Sequence, residues 1–266
     1  MGTLKDKVVI ITGSTQGIGK RVATEMAKLG AKIVINGRNK ERLTETRLMI
    51  ENLGYEVHAV QGDITSETDC KRLMNQTHER FGRIDVLINN ASLTMNEYLE
   101  NLSPEIYNRI FISNSIGATT PTLCALPFLK KSKGSVVFIS SLAGLFGLPK
   151  ASAYCAGKMS LTAVWQSFRA ELSKTGIHFG ICYVSFTRND EEKRMLSKGG
   201  TLVKVPSRPG FIQQSQNKVA KTIIRMVRRR RSKFVLSLLG KITSVVFRFF
   251  PRLTLWIITF SQKRKA

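Results

Sequence analysis

The sequence has 266 residues, of which 42% are hydrophobic, and its formal net charge is +24. The length and apolar content fit one α/β domain with a full core and exclude a disordered chain. The charge is unevenly placed, because residues 193–266 hold 19 basic residues and no acidic one, whereas residues 1–192 are nearly balanced. The cationic last quarter predicts an anionic partner, either nucleic acid or a lipid surface.

Short β-branched runs alternate with longer amphipathic stretches. Strands are predicted at 7–12, 31–37, 55–63, 84–90, 134–141, 177–185 and 233–237. Helices are predicted at 19–30, 39–54, 66–82, 103–130, 151–175 and 215–230. The fourth helix is expected to be interrupted near Pro121 and Pro127, and a polar loop precedes the last helix. This alternation predicts right-handed βαβ units, and hence one doubly wound Rossmann domain (1–237) with a seven-stranded parallel sheet.

A glycine-rich turn, "TGSTQGIG" (12–19), lies between the first strand and the first helix. Gly13, Gly17 and Gly19 allow the backbone to approach a pyrophosphate, which would rest on the positive N-terminus of the helix. Ser14, Gln16 and Ile18 belong to the same turn and are predicted to contact the cofactor. A tight strand–helix turn without a ligand is the alternative explanation.

The end of the second strand, "INGRNK", contains Arg38 and no acidic residue. NAD-binding sites place a carboxylate at this point to accept a hydrogen bond from the ribose 2′-hydroxyl, whereas a guanidinium suits a 2′-phosphate. We therefore predict NADP(H) as the cofactor. A solvated loop charge is the alternative for Arg38.

In "SAYCAGKMS", Tyr154 and Lys158 are one helical turn apart and share a helix face. An ammonium beside a phenol favours the phenolate and lowers the phenol pKa from about 10, which makes an acid–base role possible near neutral pH. The spacing alone also arises by chance, so the pair depends on the other motifs.

Taken in order, the motifs resemble those of the short-chain dehydrogenase/reductase family over residues 5–236. "TGSTQGIG" resembles the turn TGxxxGxG, "NNAS" (89–92) resembles NNAG, and "YCAGK" (154–158) resembles YxxxK. The resemblance adds four cofactor-contacting residues, which are Asp63, Ile64, Asn90 and Ala91. It also implies a catalytic tetrad, which consists of Asn114, Ser141, Tyr154 and Lys158.

The resemblance implies a role for each member of the tetrad. Tyr154 would protonate a carbonyl oxygen or take the alcohol proton in reverse, while Lys158 lowers its pKa and binds the nicotinamide ribose. Ser141, which precedes Tyr154 by thirteen residues and is preferred to Ser140 for that reason, would donate to the developing oxyanion. Asn114 would hold a water in a proton relay.

The chain departs from the family pattern at two places. The Pro-Gly expected after the sixth strand is replaced by Ser185 and Phe186, and Asp190 stands where a cofactor-contacting Thr often falls. Thr187 is the predicted substitute for that Thr. Ser92 replaces the Gly of NNAG.

The segment 228–266 combines basic clusters with an apolar run. At 100° per residue its polar positions fall on one stripe, which consists of Ser237, Lys241, Ser244, Arg248, Arg252 and Thr259. An amphipathic helical extension (238–266) on an anionic membrane surface fits best, because the cations can extend toward headgroups. A pocket lid or dimer interface remains open, whereas Lys241 and Pro251 disfavour a transmembrane span. Nucleic acid is disfavoured because the cations are interleaved with a continuous apolar face.

Family members that act on lipid-like ketones also have apolar C-terminal extensions. The resemblance suggests an NADP(H)-dependent ketone/alcohol oxidoreductase for an apolar substrate of the 3-ketosphinganine or steroid type, with a pocket lined by Leu142, Leu145, Phe146, Leu148 and Phe186. A soluble 3-oxoacyl-carrier-protein reductase and a non-catalytic NADPH-binding scaffold are the alternatives.

The compartment and the partners follow from the same reasoning. Four cysteines and three histidines are scattered without paired spacing, which disfavours disulfides and a metal site and is typical of a reducing compartment. We expect a cytoplasmic, peripherally membrane-associated protein with no metal. The family resemblance further implies a homodimer through the fourth and fifth helices.

Overall fold

The computed structural model describes residues 2–188, 190, 193–206, 210 and 213–263. Its strands are β1 (Val8–Ile11), β2 (Lys32–Gly37), β3 (Val57–Gln61), β4 (Val86–Asn89), β5 (Ser135–Ser141), β6 (His178–Val184), β7 (Arg194–Leu196), β8 (Leu202–Lys204) and β9 (Lys233–Val235). Seven of them form one parallel sheet in the order β3-β2-β1-β4-β5-β6-β9. The predicted seven-stranded parallel sheet is confirmed.

Helices cover both faces of this sheet. They are α1 (Gly17–Ala27), α2 (Lys40–Asn52), α3 (Glu67–Phe81), α4 (Pro104–Asn114), α5 (Ile116–Ser132), α6 (Ser152–Glu171), α7 (Gln216–Arg229), α8 (Leu238–Phe249) and α9 (Pro251–Lys263). Buried side chains of α1, α2 and α7 form one core cluster with the sheet, and those of α3, α5 and α6 form another. The arrangement is the doubly wound α/β fold that the sequence predicts.

The strands have apolar side chains on both faces because both faces are covered. In β1, Val9 and Ile11 belong to the cluster with α1, whereas Val8 and Ile10 belong to the cluster with α3. Successive side chains of a strand point to opposite faces, so a strand between two helical layers is a continuous apolar run. This explains why the sheet is easily predicted from the sequence.

The predicted helix at 103–130 is divided at Ser115 and not at its prolines. Pro121 and Pro127 both lie inside α5, and Pro121 is buried. At the break, Ser115 has φ −102° and ψ −70°, and the amide of Ala118 donates to the Ser115 carbonyl at 3.2 Å. The expected interruption was therefore wrong, because burial of one face of α5 stabilises the helix against the hydrogen bonds that proline removes.

The segment predicted as a polar loop before α7 contains a short hairpin. β7 and β8 pair antiparallel, with Met195 opposite Val203. Leu196 is 1% exposed and packs with Met95, Ile106 and Ile110, next to the partly buried Tyr154. The hairpin thus forms one wall beside the residues predicted to be catalytic.

The C-terminal extension is two helices and not one. The chain turns at Phe250, and Pro251 begins α9, where its missing N–H is tolerated. The turn divides the predicted polar stripe between two helix axes. No described helix is long and apolar enough to cross a membrane alone, and the pair Gly240–Phe247 and Pro251–Phe260, which passes by length and composition together, is bent by 119°.

The first of these helices, α8, packs on the loop that follows β5. An added Cβ at Gly240 would lie 2.7 Å from Leu142 Cδ2, and the rings of Phe247 and Phe146 are 5.5 Å apart. Ser237 enters the helix with φ 105°, a conformation unusual for a residue with a side chain, and its Oγ accepts from Gly240 N–H at 2.9 Å. α8 therefore covers part of the pocket rim that the sequence predicts.

Candidate active site

The four residues of the predicted tetrad come from three neighbouring parts of the fold. Tyr154 and Lys158 lie on the first two turns of α6, Ser141 ends β5, and Asn114 ends α4. Because the strands are parallel, the end of β5 lies at the carboxyl edge of the sheet, where α/β proteins bind ligands. The side chain of Lys158 reaches under Tyr154, with its Nζ 6.0 Å from the centre of the phenol ring.

Lys158 is the most buried cation described in the structure. The residue is 3% exposed, and its Nζ donates to the Ile139 carbonyl at 2.9 Å. Burial, and to a smaller extent the positive charge of Lys193, lowers the pKa of the ammonium to about 7. A lysine whose two protonation states are balanced near neutral pH, placed beside a phenol, is the pattern expected at an acid–base site.

The two adjacent serines have different environments. Ser140 is buried, and its Oγ donates to the Lys158 carbonyl at 3.2 Å, so this hydroxyl fastens β5 to α6. Ser141 is half-buried, and its Oγ accepts from the Ala143 amide at 3.2 Å. A hydroxyl that accepts from an amide keeps its proton for another partner. The environments favour Ser141 as the donor to a substrate oxygen.

Asn114 is engaged by its surroundings on both ends of its side-chain amide. The residue is 1% exposed, and its Nδ2 donates to the carbonyls of Leu93 and Ile110 at 2.7 and 2.8 Å. Its Oδ1 accepts from the hydroxyl of Ser92 at 2.7 Å. Ser92 therefore has a positioning role that the sequence analysis missed, although its departure from NNAG was a visible signal.

The glycine-rich turn requires glycine for steric reasons. Gly13 and Gly17 have φ values of +60° and +58°. A Cβ on Gly13 would lie 2.7 Å from the backbone of Ala91, and a Cβ on Gly19 would lie 2.5 Å from Asn90 Nδ2. Asn90 in turn donates from Nδ2 to the Gly13 carbonyl at 2.9 Å. Asn90 and Ala91, which follow β4, thus pack closely against the turn and fix its position.

Two other predicted contacts of this turn face inward. Ser14 is fully buried, and its Oγ donates to the Ile11 carbonyl at 2.8 Å and accepts from the Asn36 amide at 3.0 Å. Ile18 packs against the core cluster of α1. Both side chains support the turn, so contacts from these residues to a ligand would come from their backbone.

The N-terminus of α1 holds an anion supplied by the chain itself. The amide of Gly17 donates to Asp190 Oδ2 at 2.5 Å, and Gln216 Nε2 donates to Asp190 Oδ1 at 2.7 Å. The carboxylate stands where a phosphate would rest on the helix end, so the turn fits the pyrophosphate of a dinucleotide. Thr187, the predicted contact in this loop, instead donates to the Ser185 carbonyl at 3.1 Å.

The sequence analysis missed the role of Asp190 at the turn. Asp190 is 173 residues from Gly17, so only the folded chain brings the two together. The signal in the sequence was an acidic residue where the family often has a cofactor-contacting Thr.

The far end of the predicted cofactor site contains an exposed ion pair. Arg38 Nη1 lies 3.5 Å from Asp63 Oδ2, and the Arg38 side chain is 55% exposed. Burial acts against the charge of Asp63, but hydrogen bonds from Thr65 and the charge of Arg38 outweigh it and lower the Asp63 pKa. A second guanidinium follows, since Arg42 Nη1 donates to Gln16 Oε1 at 3.3 Å.

Of the other predicted cofactor contacts, Ile64 is buried and Ala91 is half-buried. Ile64 is 7% exposed, and an added Cβ on Gly117 would overlap its side chain. The Ala91 amide donates to Thr12 Oγ1 at 3.2 Å. In the part of the chain that the structure describes, no group of three or more His, Cys, Asp or Glu side chains is placed to hold a metal ion.

Comparison with known proteins assigns the fold and these motifs to a class. The family model for the short chain dehydrogenases matches residues 7–216. The chain belongs to the short-chain dehydrogenase family, as the motifs predict.

Relatives and a solved structure extend this assignment. "11-beta-hydroxysteroid dehydrogenase-like 2" of Arabidopsis thaliana is 39% identical over 169 residues, which are 63% of this chain and 55% of the plant protein. The chain thus matches about half the length of this relative. "Dehydrogenase/reductase SDR family member 7B" of Danio rerio is 28% identical over 263 residues, which are 95% and 82% of the two chains. A Burkholderia phymatum short chain dehydrogenase/reductase solved in complex with NAD has the same fold, with a TM-score of 0.84, 20% identity and coverage of 96% and 97%.

Replacement of Lys158 by Met tests the burial of the ammonium. The ammonium pKa falls from 10.5 in the unfolded chain to about 7 in the folded one, so the unfolded state binds more protons between these values. The free energy of unfolding of the wild type therefore rises with pH across this window. The amount by which it falls short of that of Lys158→Met is largest below pH 7. We expect the variant to be more stable by roughly 3 kcal/mol at pH 6.5, with the difference shrinking toward pH 9.5.

Urea denaturation of both proteins at pH 6.5, 8 and 9.5 measures this difference. Lys174→Met, at an exposed lysine, is the control and should leave the stability unchanged at each pH. A stability difference for Lys158→Met that is the same at all three values would contradict the assigned burial.

Proposed function

We propose that the protein is an NADP(H)-dependent oxidoreductase that interconverts a ketone and a secondary alcohol on an apolar, lipid-like substrate at a membrane face. The observation that supports it most is the buried Lys158 ammonium beneath Tyr154, beside a turn that already binds an anion. Membership in the short-chain dehydrogenase family agrees with this chemistry. The steroid-dehydrogenase names of the plant relatives favour a polycyclic or other lipid-like ketone.

The chain's own residues handle the proton and the substrate oxygen. A bound nicotinamide supplies the hydride. The Tyr154 hydroxyl gives its proton to the carbonyl oxygen, and the Lys158 ammonium stabilises the phenolate that remains. The Ser141 hydroxyl donates a hydrogen bond to the same oxygen as negative charge develops there. Asn114 and Ser92 fix the end of α4 behind this group.

The surroundings of the site are apolar, which supports a lipid-like substrate. Phe146 and Leu196 are buried there, and Phe186 is 41% exposed. Phe247 of α8 stacks near Phe146 and continues this surface into the C-terminal helices. A long or polycyclic apolar ketone can be desolvated on such a surface, whereas a small polar substrate gains nothing from it.

Tyr154→Phe tests the enzymatic proposal. The variant keeps the ring and loses only the transferable proton, so kcat should fall at least ~1,000-fold while the affinity for NADPH changes less than about 2-fold. Consumption of NADPH is measured against 3-ketosphinganine, a steroid ketone and a 3-oxoacyl thioester, with and without lipid vesicles. Cofactor affinity comes from fluorescence titration.

Tyr107→Phe is the matched control, because Tyr107 packs against the same apolar cluster as Tyr154, and this variant should retain turnover. Full turnover by Tyr154→Phe would contradict the assigned role of Tyr154. Binding of NADPH by the wild type without turnover of any of the three substrates would point instead to a non-catalytic NADPH-binding scaffold. Turnover of the thioester alone would favour the 3-oxoacyl-carrier-protein reductase.

NADP(H) is favoured over NAD(H) by two guanidiniums at the adenosine end. Arg38 is more than half exposed and its ion pair with Asp63 is long, so little is lost when it turns to a phosphate. Arg42 lies on the first turn of α2, where it contacts Gln16 of the glycine-rich turn. A 2′-phosphate placed between them would gain charge-assisted hydrogen bonds that a hydroxyl lacks.

Arg38→Ala tests the cofactor preference. The change should lower kcat/KM for NADPH at least ~10-fold, because a hydrogen bond to a charged group is lost, and leave kcat/KM for NADH nearly unchanged. The control is Arg47→Ala, which removes a guanidinium that pairs with Glu51 on the same helix. Wild-type enzyme that uses NADH as well as NADPH would rule the preference out.

The membrane face is proposed from the outer surface of α8 and α9. Ten large apolar residues there are 45–74% exposed. They are Leu238, Ile242, Val245, Phe249, Phe250, Leu253, Leu255, Trp256, Ile257 and Phe260. So wide an apolar surface, in a segment (228–266) that is rich in Lys and Arg, is typical of helices that lie in a lipid interface. We also propose a cytoplasmic, peripherally attached protein, with residues 1–237 as the catalytic domain and 238–266 as the attachment.

Leu255→Gln combined with Trp256→Gln tests this attachment in the full-length chain. Both side chains are exposed, so the fold should persist while the apolar contact with lipid is lost. Binding to vesicles of phosphatidylcholine with 20% phosphatidylserine should fall at least ~10-fold in a flotation assay. Leu48→Gln, at another exposed apolar position on α2, is the control, and an equal loss in this variant would contradict the proposal.

A homodimer through the fourth and fifth predicted helices, which correspond to α4 with α5 and to α6, is the proposed assembly. Ile112, Ile116 and Leu123 on α4 and α5 and Met159 on α6 are 42–51% exposed. This apolar surface is separate from that of the C-terminal helices, so a pair of chains joined here could place both extensions on one membrane.

A further inference from the structure

A cleft of about 530 Å³ lies between α7, β9 and the start of α8, outside the proposed active site. Four cations line it, three from α7 and one from α8. They are Lys218, Lys221, Arg225 and Lys241. The two helices thus bring basic side chains that are far apart in the sequence to one concave surface.

The α7 cations are fixed in direction by the opposite face of their helix. Lys218, Lys221 and Arg225 follow a helical spacing and are exposed. The other face of α7 is buried, with Val219 and Ile223 fully enclosed in the core. The positive face is therefore held rigidly at the surface rather than presented by a mobile arm.

None of the ion pairs between described residues includes a cation of the cleft. The sequence contains no Asp or Glu after residue 192, so α7, β9 and α8 supply no acidic side chain of their own. Like charges gathered in a concave site raise each other's energy, so the cleft attracts a ligand with concentrated negative charge.

The remaining walls add a requirement to such a ligand. Phe234, Val235 and Leu238 supply apolar surface beside the cations. The ligand should therefore combine an anionic group with an apolar part.

We infer that this cleft binds the phosphate headgroup of an anionic phospholipid. Lys241 belongs to α8, whose next apolar residues, Ile242 and Val245, are 53% and 54% exposed. Acyl chains would continue from the cleft along this surface into the bilayer. The inference rests on the membrane face of the proposed function and adds the headgroup that the face recognises. A nucleic acid would leave the apolar walls uncovered.

The triple variant Lys218→Gln, Lys221→Gln and Arg225→Gln tests the cleft. Binding to phosphatidylcholine vesicles with 20% phosphatidic acid should fall at least ~10-fold, because these cations act at contact range. The matched control is Lys130→Gln, Lys131→Gln and Lys174→Gln, which removes the same charge from exposed positions on other elements. It should change binding less than about 2-fold. Equal losses in the two triples would overturn the inference, since net charge alone would then account for binding.

A second measurement separates the cleft from the membrane face. Dihexanoyl phosphatidic acid below its micelle concentration offers the same headgroup without a bilayer, and isothermal titration calorimetry compares it with inorganic phosphate. Wild type should bind the short lipid at least ~10-fold more tightly than phosphate, and the cleft triple should lose this binding. Equal affinity for both would overturn the lipid headgroup as the ligand.

The two proposals fail in distinguishable ways. Unchanged vesicle binding by Leu255→Gln with Trp256→Gln would overturn the proposed membrane face. Binding of the short lipid would still test the cleft by itself. Thermal melts by circular dichroism verify folding, and Lys221→Gln alone against Lys174→Gln replaces the triples if either triple unfolds.

Discussion

The burial of a single ammonium, that of Lys158, is the constraint on which the site depends. A charge removed from water requires close hydrogen-bond partners, and the Lys158 ammonium donates to the Ile139 carbonyl. Helix α6 must therefore lie tightly against the end of β5. Gly144 permits this, since a Cβ there would lie 2.7 Å from the Lys158 carbonyl oxygen, and Gly157 permits the equally close approach of α4. The same packing brings Tyr154, Ser141 and Asn114 to one edge of the sheet.

Charge is distributed unevenly along the chain. Residues 1–192 are nearly neutral, and their charged side chains pair with one another, as Arg83 and Lys7 do with Asp85. Hydrogen bonds from these cations hold the pKa of Asp85 below its usual range although burial acts to raise it. The last quarter has no acid with which to pair. Some of its cations bond to backbone carbonyls, as Arg230 does to that of Lys133. The cations of the cleft form no ion pair with a described residue and can therefore attract an anionic ligand.

The sheet and the motifs could be predicted from the sequence because both are local. β1 is a continuous apolar run, and Tyr154 and Lys158 are one turn apart. Features that depend on distant contacts could not be predicted in this way. The break at Ser115 follows Asn114, whose side chain donates to the carbonyl of Leu93, a residue 21 positions earlier in the sequence. The chain turns at Phe250 and Pro251 starts a new helix, whereas the polar stripe assumed one continuous helix. Which ligands the exposed residues bind depends on how their side chains are arranged on the surface, and the order of residues in the sequence encodes this arrangement only weakly.

The carboxylate of Asp190 has a consequence for the sequence of events during turnover. It connects the loop after β6 with the N-terminus of α1, and through Gln216 with the start of α7. One amide proton cannot be donated fully to two anions, so a dinucleotide phosphate bound at this amide, as proposed, would take the place of the Asp190 carboxylate. The loop after β6 would then lose its link to α1 when the coenzyme binds. The enzyme would then follow a compulsory-order kinetic scheme, with coenzyme as the leading reactant and the last product to depart.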